Sequence, residues 1–190
     1  MIILSKEEFE INKEQYFDLI DEGAVFIYPT DTIYGIGCSA LNDSAVKKLR
    51  RIKKRPKMPF SIIVPSKEWI YENCEVSEDD EAWIKKLPGP YTLIFNLKKD
   101  NVISKLVNPS KKTIGVRIPK HWIAGFVEEL GFPIITTSVN ISGQEYMTSL
   151  DNLNEDIKQK VDFIIYDGEI LGRPSTIVDL TGKEPKVINR

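Results

Sequence analysis

The 190-residue sequence is 42% hydrophobic and 28% charged, a composition that predicts a single soluble domain with one sizeable core over residues 1–190. No uncharged apolar run reaches the ~18 residues that a membrane helix needs, and the first residues lack a signal-peptide pattern, so we expect a cytoplasmic protein with no membrane association. Two cysteines, Cys38 and Cys74, and one histidine argue against a disulfide framework and a zinc cluster. We expect Cys38 to be a small buried or half-buried residue, with a reactive thiol as the alternative.

Apolar periodicity along the chain predicts alternating helices and strands, which is typical of an α/β sheet with flanking helices. Asn12 and Gly23 have the residue types of a helix N-cap and a helix C-terminus, and they bound the first predicted helix. The predicted helices cover 12–22, 43–53, 66–73, 78–87, 120–130 and 149–158. The predicted strands cover 24–28, 60–64, 91–97, 113–118, 133–138, 162–166 and 175–180.

The segment from Tyr28 to Gly37 reads Tyr-Pro-Thr-Asp-Thr-Ile-Tyr-Gly-Ile-Gly and directly follows an apolar strand. It combines hydroxyls, one carboxylate and two glycines, which present polar groups and bare backbone to a ligand. We therefore predict that this segment is a site loop and not a packing element.

Positive charge is concentrated between residues 47 and 57, where eight Lys or Arg occur in eleven positions. The predicted helix 43–53 should bury Ala45, Val46, Leu49 and Ile52. Its remaining cations, either a solvated surface or a nucleic-acid patch, are Lys47, Lys48, Arg50, Arg51 and Lys54.

Lys53 and Arg55 stand apart from these cations. Pro56 disfavours helical backbone at Arg55, so we expect the helix to end here and the chain to extend. Side chains two residues apart on extended chain point the same way, and Lys53 and Arg55 could therefore converge on one anion.

A second polar segment follows the apolar run Phe132–Ile135. If the chain alternates from Thr136 onwards, the side chains of Thr136, Ser138, Asn140 and Ser142 share one side, while Val139 and Ile141 face the core. Such a wall of hydroxyls and an amide suits a ligand rich in phosphate, carboxylate or ribose oxygens, although a simple polar turn is the alternative.

Six motifs in order resemble the YrdC/YciO-like family, whose YrdC-type members are threonylcarbamoyl-AMP synthases. The resemblance implies an open, twisted, mixed sheet with a concave, basic face. The motifs, as they stand here, are the loop 29–37, Lys53-x-Arg55-Pro56, Pro88-Gly89-Pro90-Tyr91-Thr92, Gly115-Val116-Arg117-Ile118-Pro119, Ser138-x-Asn140 with Ser142-Gly143, and Ser175-Thr176-Ile177-Val178-Asp179.

The resemblance also implies roles for individual residues. The residues that look like the threonine site are Thr32, Arg117, Thr136 and Ser175, with Arg117 pairing the carboxylate. The residues that look like the ATP site are Lys53, Arg55, Thr113, Ser138, Asn140 and Arg190, with Lys53 and Arg55 against the phosphates. No protein metal ligand is identified. A structural ion pair is the alternative role for Arg117, and a solvated terminus is the alternative for Arg190.

The implied reaction joins L-threonine, bicarbonate and ATP into threonylcarbamoyl-adenylate and pyrophosphate, with Mg²⁺ accompanying ATP. Adenylyl transfer of this kind depends on positioning and on cations more than on a nucleophilic side chain. The implied downstream partner is a threonylcarbamoyl-transferase of the TsaD type, within a KEOPS-like complex in an archaeal source, for the threonylcarbamoyl-adenosine modification of tRNA. The alternatives are a non-catalytic protein that binds double-stranded RNA or tRNA, and a divergent YciO-like protein.

Two features depart from the YrdC pattern. Many members have a threonine-binding histidine in the strand after the Lys-x-Arg-Pro turn, and the equivalent here is Ile63, which we expect to border the threonine pocket as an apolar wall. The sequence ends at residue 190, and we expect the additional C-terminal domain of longer members to be missing.

Overall fold

A computed structural model describes residues 2–188, and its framework is one mixed sheet of ten strands. The spatial order is β1-β8-β2-β3-β7-β4-β6-β5-β9-β10, with parallel and antiparallel pairs intermingled. The strands are β1 Ile2–Leu4, β2 Phe26–Tyr28, β3 Gly35–Gly37, β4 Ser61–Ile63, β5 Tyr91–Asn96, β6 Thr113–Arg117, β7 Ile134–Ser138, β8 Phe163–Ile165, β9 Thr176–Asp179 and β10 Lys186–Ile188.

Seven α-helices flank the sheet in the described part of the chain, together with two short 3₁₀ turns at Glu78–Asp80 and Leu150–Asn152. The predicted helix 149–158 is wrong as one element, because Leu153 is extended and Asn154 caps a new helix. The helices are α1 Lys6–Ile11, α2 Lys13–Glu22, α3 Asp43–Ile52, α4 Lys67–Asn73, α5 Glu81–Ile84, α6 Ile123–Leu130 and α7 Glu155–Lys158.

Helix α1 has a local signal that periodicity did not detect. Ser5 accepts a hydrogen bond from the Glu8 amide, and the Glu8 carboxylate accepts one from the Ser5 amide, which forms a capping box. Asn12, by contrast, makes no side-chain cap on α2, although it precedes that helix as predicted.

Alternate residues of the strands divide the core between the two faces of the sheet. On one face, Ile62, Val116 and Ile135 belong to a cluster that includes Leu49 of α3 and Ile70 of α4. On the opposite face, the aromatic side chains of Phe26 and Phe163 and the side chain of Ile134 belong to a cluster with Phe126 of α6.

The second face is only partly covered. Helices α1, α2 and α6 supply apolar partners for β8, β2 and one end of β4 and β7. Where this cover stops, the same face continues with the polar side chains of Ser61 and Thr136, which occupy one register position in neighbouring strands. The change from apolar to polar residues along two strands therefore leaves an open area on the sheet.

The segment 28–37 contributes a central strand of the sheet, so the prediction that it is not a packing element is wrong for its last three residues. Strand β3 pairs with β2 on one side and with β7 on the other, and it is completely buried. A Cβ on Gly37 would lie 1.8 Å from the carbonyl oxygen of Ile135, and one on Gly35 would lie 2.9 Å from the Tyr28 ring. These glycines serve close strand packing at the end of the site loop.

The end of helix α3 differs from the expected extended chain. Lys53 keeps helical backbone as the C-cap, and Lys54 has a positive φ of 50°. Lys53 is 1% exposed and points inwards, so the two side chains do not converge as extended neighbours. Of the two positions that the sequence allows for Arg50, the solvated helix surface is wrong, because the residue is 7% exposed.

Replacing Gly37 by Ala tests the strand packing. The added methyl group collides with backbone and not with a flexible side chain, so we expect the free energy of unfolding to fall by about 2 kcal/mol or more. Urea unfolding of both proteins measures the difference. Gly125→Ala is the matched control, because an added Cβ on this residue of α6 meets nothing within 4 Å and should be neutral or stabilising. Equal stability of Gly37→Ala and the unmodified protein would contradict the strand assignment.

Candidate active site

The uncovered part of the sheet forms the floor of a cavity of about 480 Å³, a size suited to a small organic ligand. Across the floor, Thr136, Ser61, Gly115 and Ile94 occupy one row, since each is registered with the next. Gly115 is required for this arrangement, because a Cβ there would lie 2.7 Å from the Ser61 hydroxyl. Because Gly115 has no side chain, the floor is low at this position, and the hydroxyls of Ser61 and Thr136 are next to it.

The walls of the cavity carry two positive charges and many neutral polar groups. Arg55 and Arg117 are the charged lining residues, and the lining of the described protein includes no carboxylate. The neutral polar lining residues are Thr30, Tyr34, Ser61, Thr92, Asn108, Thr113, Thr136, Thr137, Ser138 and Ser175.

Arg117 is held by the site loop. One of its terminal nitrogens lies 2.9 Å from Asp31 Oδ1 and 3.1 Å from Thr32 Oγ1. The side chains of Arg117 and Asp31 are 7% and 10% exposed, and the second oxygen of Asp31 accepts a hydrogen bond from the Lys120 amide. The ion pair that we considered as an alternative for Arg117 is therefore present, and it lies in the wall of the cavity.

Thr30 organises the loop beneath this pair. Its hydroxyl is 2.6 Å from the carbonyl oxygen of Ile33 and 3.0 Å from the hydroxyl of Thr32, and it accepts a hydrogen bond from the Thr32 amide. Thr30 is 3% exposed, so these bonds replace water at a buried turn. Thr32 does not line the cavity itself and acts on it through Arg117.

The segment leading into β9 crosses the site loop and closes one side of the cavity. A Cβ on Gly172 would lie 1.7 Å from the carbonyl oxygen of Thr32, so only glycine permits this crossing. Three residues later, the Ser175 hydroxyl lies 2.7 Å from the Thr92 hydroxyl, and both side chains are buried. Ser175 therefore lines the cavity and is held there by its contact with Thr92 of β5.

Arg55 reaches the cavity from the turn after α3. Its guanidinium donates to the carbonyl oxygen of Pro59 at 2.7 Å and lies over the ring of Phe60, with 5.3 Å between the guanidinium carbon and the ring centroid. A further terminal nitrogen is 3.5 Å from the Thr137 hydroxyl. These contacts aim a half-buried cation into the cavity.

Lys53 is near this cation but has another set of contacts. Its amine donates to the carbonyl oxygen of Ser138, and to the carbonyl and side-chain oxygens of Asn140 at 2.8 and 3.0 Å. Burial lowers the pKa of Lys53 to about 7, and the charge of Arg55 adds to this shift. Asn140 also accepts a hydrogen bond from the Ser138 hydroxyl at 2.7 Å, so Lys53 and Asn140 hold Ser138 from behind the cavity.

The structure thus brings six of the sequence-predicted site residues to one cavity and places three behind its walls. Arg190 lies outside the described residues. The six lining residues are Arg55, Thr113, Arg117, Thr136, Ser138 and Ser175, and the three others are Thr32, Lys53 and Asn140.

Ile63 does not border this cavity, and the expectation of an apolar wall there is wrong. The side chain is completely buried in the cluster with Ile134 and Phe126, next to Arg117 in register. Ser61, two residues earlier on the same face of β4, is the residue that lines the cavity. The apolar residue therefore belongs to the covered end of the strand.

Sequence reasoning missed several lining residues. Thr30, Tyr34 and Thr92 lie within the six sequence motifs, which mark their segments as part of a site. The motifs do not indicate that these three side chains line the cavity. Asn108 is not part of any sequence motif, because it lies in the long connection between β5 and β6. Its amide donates to the carbonyl and hydroxyl oxygens of Thr113 at 2.9 and 3.1 Å, and this contact brings the connection to the cavity.

Other reactive groups take no part in this cavity. Burial raises the pKa of the Cys38 thiol, which is completely buried as expected, and raises that of Cys74 to about 12. No group of three metal-binding side chains occurs in the part of the chain that the structure describes. Between residues 2 and 188, no helix is long and apolar enough to span a membrane.

Comparison with known proteins agrees with this architecture. Residues 18–190 match the family model for Sua5, YciO and YrdC proteins, whose description is "Telomere recombination". The chain therefore belongs to the Sua5/YciO/YrdC family.

The chain is similar both to relatives named threonylcarbamoyl-AMP synthase and to YciO proteins. A putative threonylcarbamoyl-AMP synthase from Methanocaldococcus jannaschii is 37% identical over 95% of this chain and 88% of its own length. Escherichia coli YciO, an uncharacterised protein, is 30% identical over 92% of this chain and 86% of its own length. The crystal structure of Pyrococcus abyssi Sua5 complexed with L-threonine matches with a TM-score of 0.87 and 34% identity, over 99% of this chain and 56% of that one. The chain thus spans about half of the Pyrococcus protein.

Replacing Asp31 by Asn tests the ion pair in the cavity wall. Asn keeps one oxygen acceptor but removes the charge that compensates Arg117, so we expect the free energy of unfolding to fall by about 1 to 3 kcal/mol. Chemical denaturation measures this loss. Asp100→Asn is the control, because its ion pair with Lys112 is exposed and should contribute little. A loss no larger than that of the control would show that the Asp31–Arg117 pair does not stabilise the loop.

Proposed function

We propose that this protein is a threonylcarbamoyl-AMP synthase, an ATP-dependent nucleotidyltransferase for the threonylcarbamoyl-adenosine modification of tRNA. It converts L-threonine, bicarbonate and ATP into threonylcarbamoyl-adenylate and pyrophosphate. The family, the Methanocaldococcus and Pyrococcus relatives, and the similarity to Sua5 in its complex with L-threonine support this proposal.

The observation that carries the proposal is the composition of the cavity. Two guanidinium groups and ten neutral polar residues line it, together with apolar residues such as Phe60 and Ile94. Guanidinium groups recognise carboxylate and phosphate oxygens, and hydroxyls serve as donors and acceptors without added charge. This set matches a ligand pair of an amino acid and a nucleotide.

The proposed reaction makes few demands on side-chain reactivity. The amine of threonine forms an N–C bond with the carbon of bicarbonate to give an N-carboxylate, while the hydroxyl of bicarbonate and a proton of the amine leave as water. One oxygen of this N-carboxylate then attacks the α-phosphorus of ATP. A new P–O bond forms as the bond to pyrophosphate breaks. Positioned cations lower the barrier of such a step, because negative charge moves onto the leaving phosphates.

The two cations divide between the substrates in this proposal. Arg117, with Ser175 and Thr136 nearby in the cavity, binds the threonine carboxylate while Asp31 and Thr32 hold its guanidinium in place. Arg55 contacts the phosphates of ATP.

Thr113 and Ser138 complete the nucleotide half of the cavity. Lys53 and Asn140 act on the nucleotide indirectly, by holding Ser138 in place. The amine of Lys53 donates to the carbonyl oxygens of Ser138 and Asn140. Mg²⁺ would accompany ATP and would neutralise part of the phosphate charge, next to the guanidinium that Arg55 contributes to the cavity.

The product is a labile mixed anhydride, and its use requires a second protein. We propose a threonylcarbamoyl-transferase of the TsaD type as the acceptor, in a KEOPS-like complex if the source is archaeal. An open cavity at the sheet surface allows such a transfer without a large rearrangement of the core.

A non-catalytic RNA-binding role has less to support it. Of the eight cations between 47 and 57, Arg50 and Lys53 are buried and Lys48 pairs with Asp162. The whole chain has a formal net charge of -2, which disfavours binding to the phosphates of double-stranded RNA or tRNA. The assay described next also tests the alternative of a divergent YciO-like role.

The decisive experiment is a pyrophosphate-release assay. The protein is incubated with ATP, L-threonine, bicarbonate and Mg²⁺, and omission of threonine or bicarbonate is the control. We expect release that depends on both, and adenylate that is detectable by mass spectrometry. Release that is absent, or independent of threonine, under conditions in which a known synthase works would contradict the proposal and favour the RNA-binding or YciO-like alternative.

Replacing Arg55 by Ala should weaken ATP binding by about 1.5 to 3 kcal/mol, because a charge-assisted contact with phosphate is lost. Calorimetric titration with ATP measures the change, and L-threonine binding serves as an internal reference. Arg51→Ala removes a neighbouring exposed arginine and should leave both affinities unchanged. Equal ATP affinity of the Arg55→Ala and Arg51→Ala proteins would remove Arg55 from the site.

A further inference from the structure

Arg50 is a buried cation outside the cavity whose contacts are not explained by the proposed chemistry. It lies in the last turn of α3 and is 7% exposed, whereas Lys47 and Arg51 of the same helix are exposed. Within residues 2–188, no carboxylate lies within ion-pairing distance of its guanidinium. A buried charge is costly unless other groups compensate it, so the compensation here must come from hydrogen bonds.

Among the described residues, the guanidinium donates its hydrogen bonds to main-chain carbonyl oxygens in two loops. Towards the turn after α3, a terminal nitrogen donates to Arg55 at 2.8 Å and to Met58 at 3.1 Å. Towards the connection between β5 and β6, the guanidinium donates to Leu106 at 2.8 Å and to Val107 at 3.2 Å.

Both loops continue directly into the cavity. The first carries Arg55 and Phe60, and the second carries Asn108, all of which line it. The guanidinium carbon of Arg50 lies 4.6 Å from the centroid of the Phe60 ring, and Phe60 donates its amide to Val107 at 3.0 Å. The two loops are thus joined to each other and to α3 through one side chain.

A guanidinium suits this position better than other side chains. It presents five donors in a fixed plane, and carbonyl oxygens at four positions accept from it at once. A lysine amine could satisfy at most some of them, and a glutamine amide fewer still.

We propose that Arg50 is a positioning residue for the nucleotide, which it does not touch. By holding the carbonyl oxygens of Arg55 and Met58, it fixes the turn that aims the Arg55 guanidinium into the cavity. This role rests on the proposed function in one respect, since it takes Arg55 as a contact of ATP. It adds a residue that none of the six quoted motifs includes.

The test compares Arg50→Gln with the unmodified protein in calorimetric titrations of ATP and of L-threonine. A displaced Arg55 loses its phosphate contact, so we expect the ATP dissociation constant to rise roughly 10- to 100-fold. The L-threonine dissociation constant should stay unchanged, because Arg117 and Ser175 lie on other segments. Arg51→Gln is the matched control and should leave both constants unchanged.

The double variant Arg50→Gln/Arg55→Ala separates positioning from general damage. If Arg50 acts through Arg55, it should bind ATP no more weakly than Arg55→Ala alone. Independent losses that add in the double variant would overturn the proposal, as would normal ATP affinity of folded Arg50→Gln.

Arg50→Lys covers the case in which Arg50→Gln does not fold, because it keeps the charge over Phe60. We expect an intermediate loss of ATP affinity and normal threonine affinity, and equal losses for both ligands would overturn the proposal. Failure of the unmodified protein to bind ATP would overturn the proposed function together with this inference, whereas ATP binding that is insensitive to Arg50 would overturn this inference alone.

Discussion

The ion pair between Asp31 and Arg117 is the contact on which the arrangement of the site depends. It joins the loop after β2 to the end of β6, two segments that are 86 positions apart in the chain. Both side chains are almost completely buried, so their mutual attraction is little screened, and separating them would leave a charge without compensation. The pair therefore ties the loop to the sheet floor.

This fixed loop determines how the rest of the cavity closes. The segment before Ser175 can cross the loop at Thr32 because position 172 is glycine, and β3 can continue from the loop into the sheet because positions 35 and 37 are glycine. The loop is thus packed by backbone on two sides. A ligand would meet a preformed wall, and preorganisation of this kind reduces the entropy cost of binding.

Buried cations support the other wall of the cavity by a different means. Arg50 and Lys53 have no carboxylate partner among the described residues, and both donate to the carbonyl oxygens of loops that line the cavity. Carbonyl oxygens stabilise these charges while the charges hold the loops in place. Helix α3 and its C-cap therefore support the part of the cavity wall that contains Arg55 and Ser138, while Lys47 and Arg51 of the same helix are exposed.

The sequence by itself determined the α/β class, most of the strands and the segments that form the site. Apolar runs such as 133–138 and 162–166 were readable because burial of β-branched and aromatic residues is a local property of the pattern. The motif around Arg117 and the hydroxyl-rich segment at Ser138 were also recognisable in the sequence, since several polar residues close together on a short segment differ from the composition of a buried strand. Six predicted site residues lie in one cavity for this reason.

Only the tertiary structure decided which of these residues line the cavity. Lys53 and Arg55 have the same charge and are two positions apart, yet a helical C-cap and a positive φ at Lys54 turn one inwards and the other into the cavity. Ser61 and Ile63 share one face of β4, and the extent of the helix layer over that face exposes the first and buries the second. Asn108 and Arg50 join the site through contacts between distant segments. Such contacts depend on the paths of several elements at once, and a local pattern does not encode them.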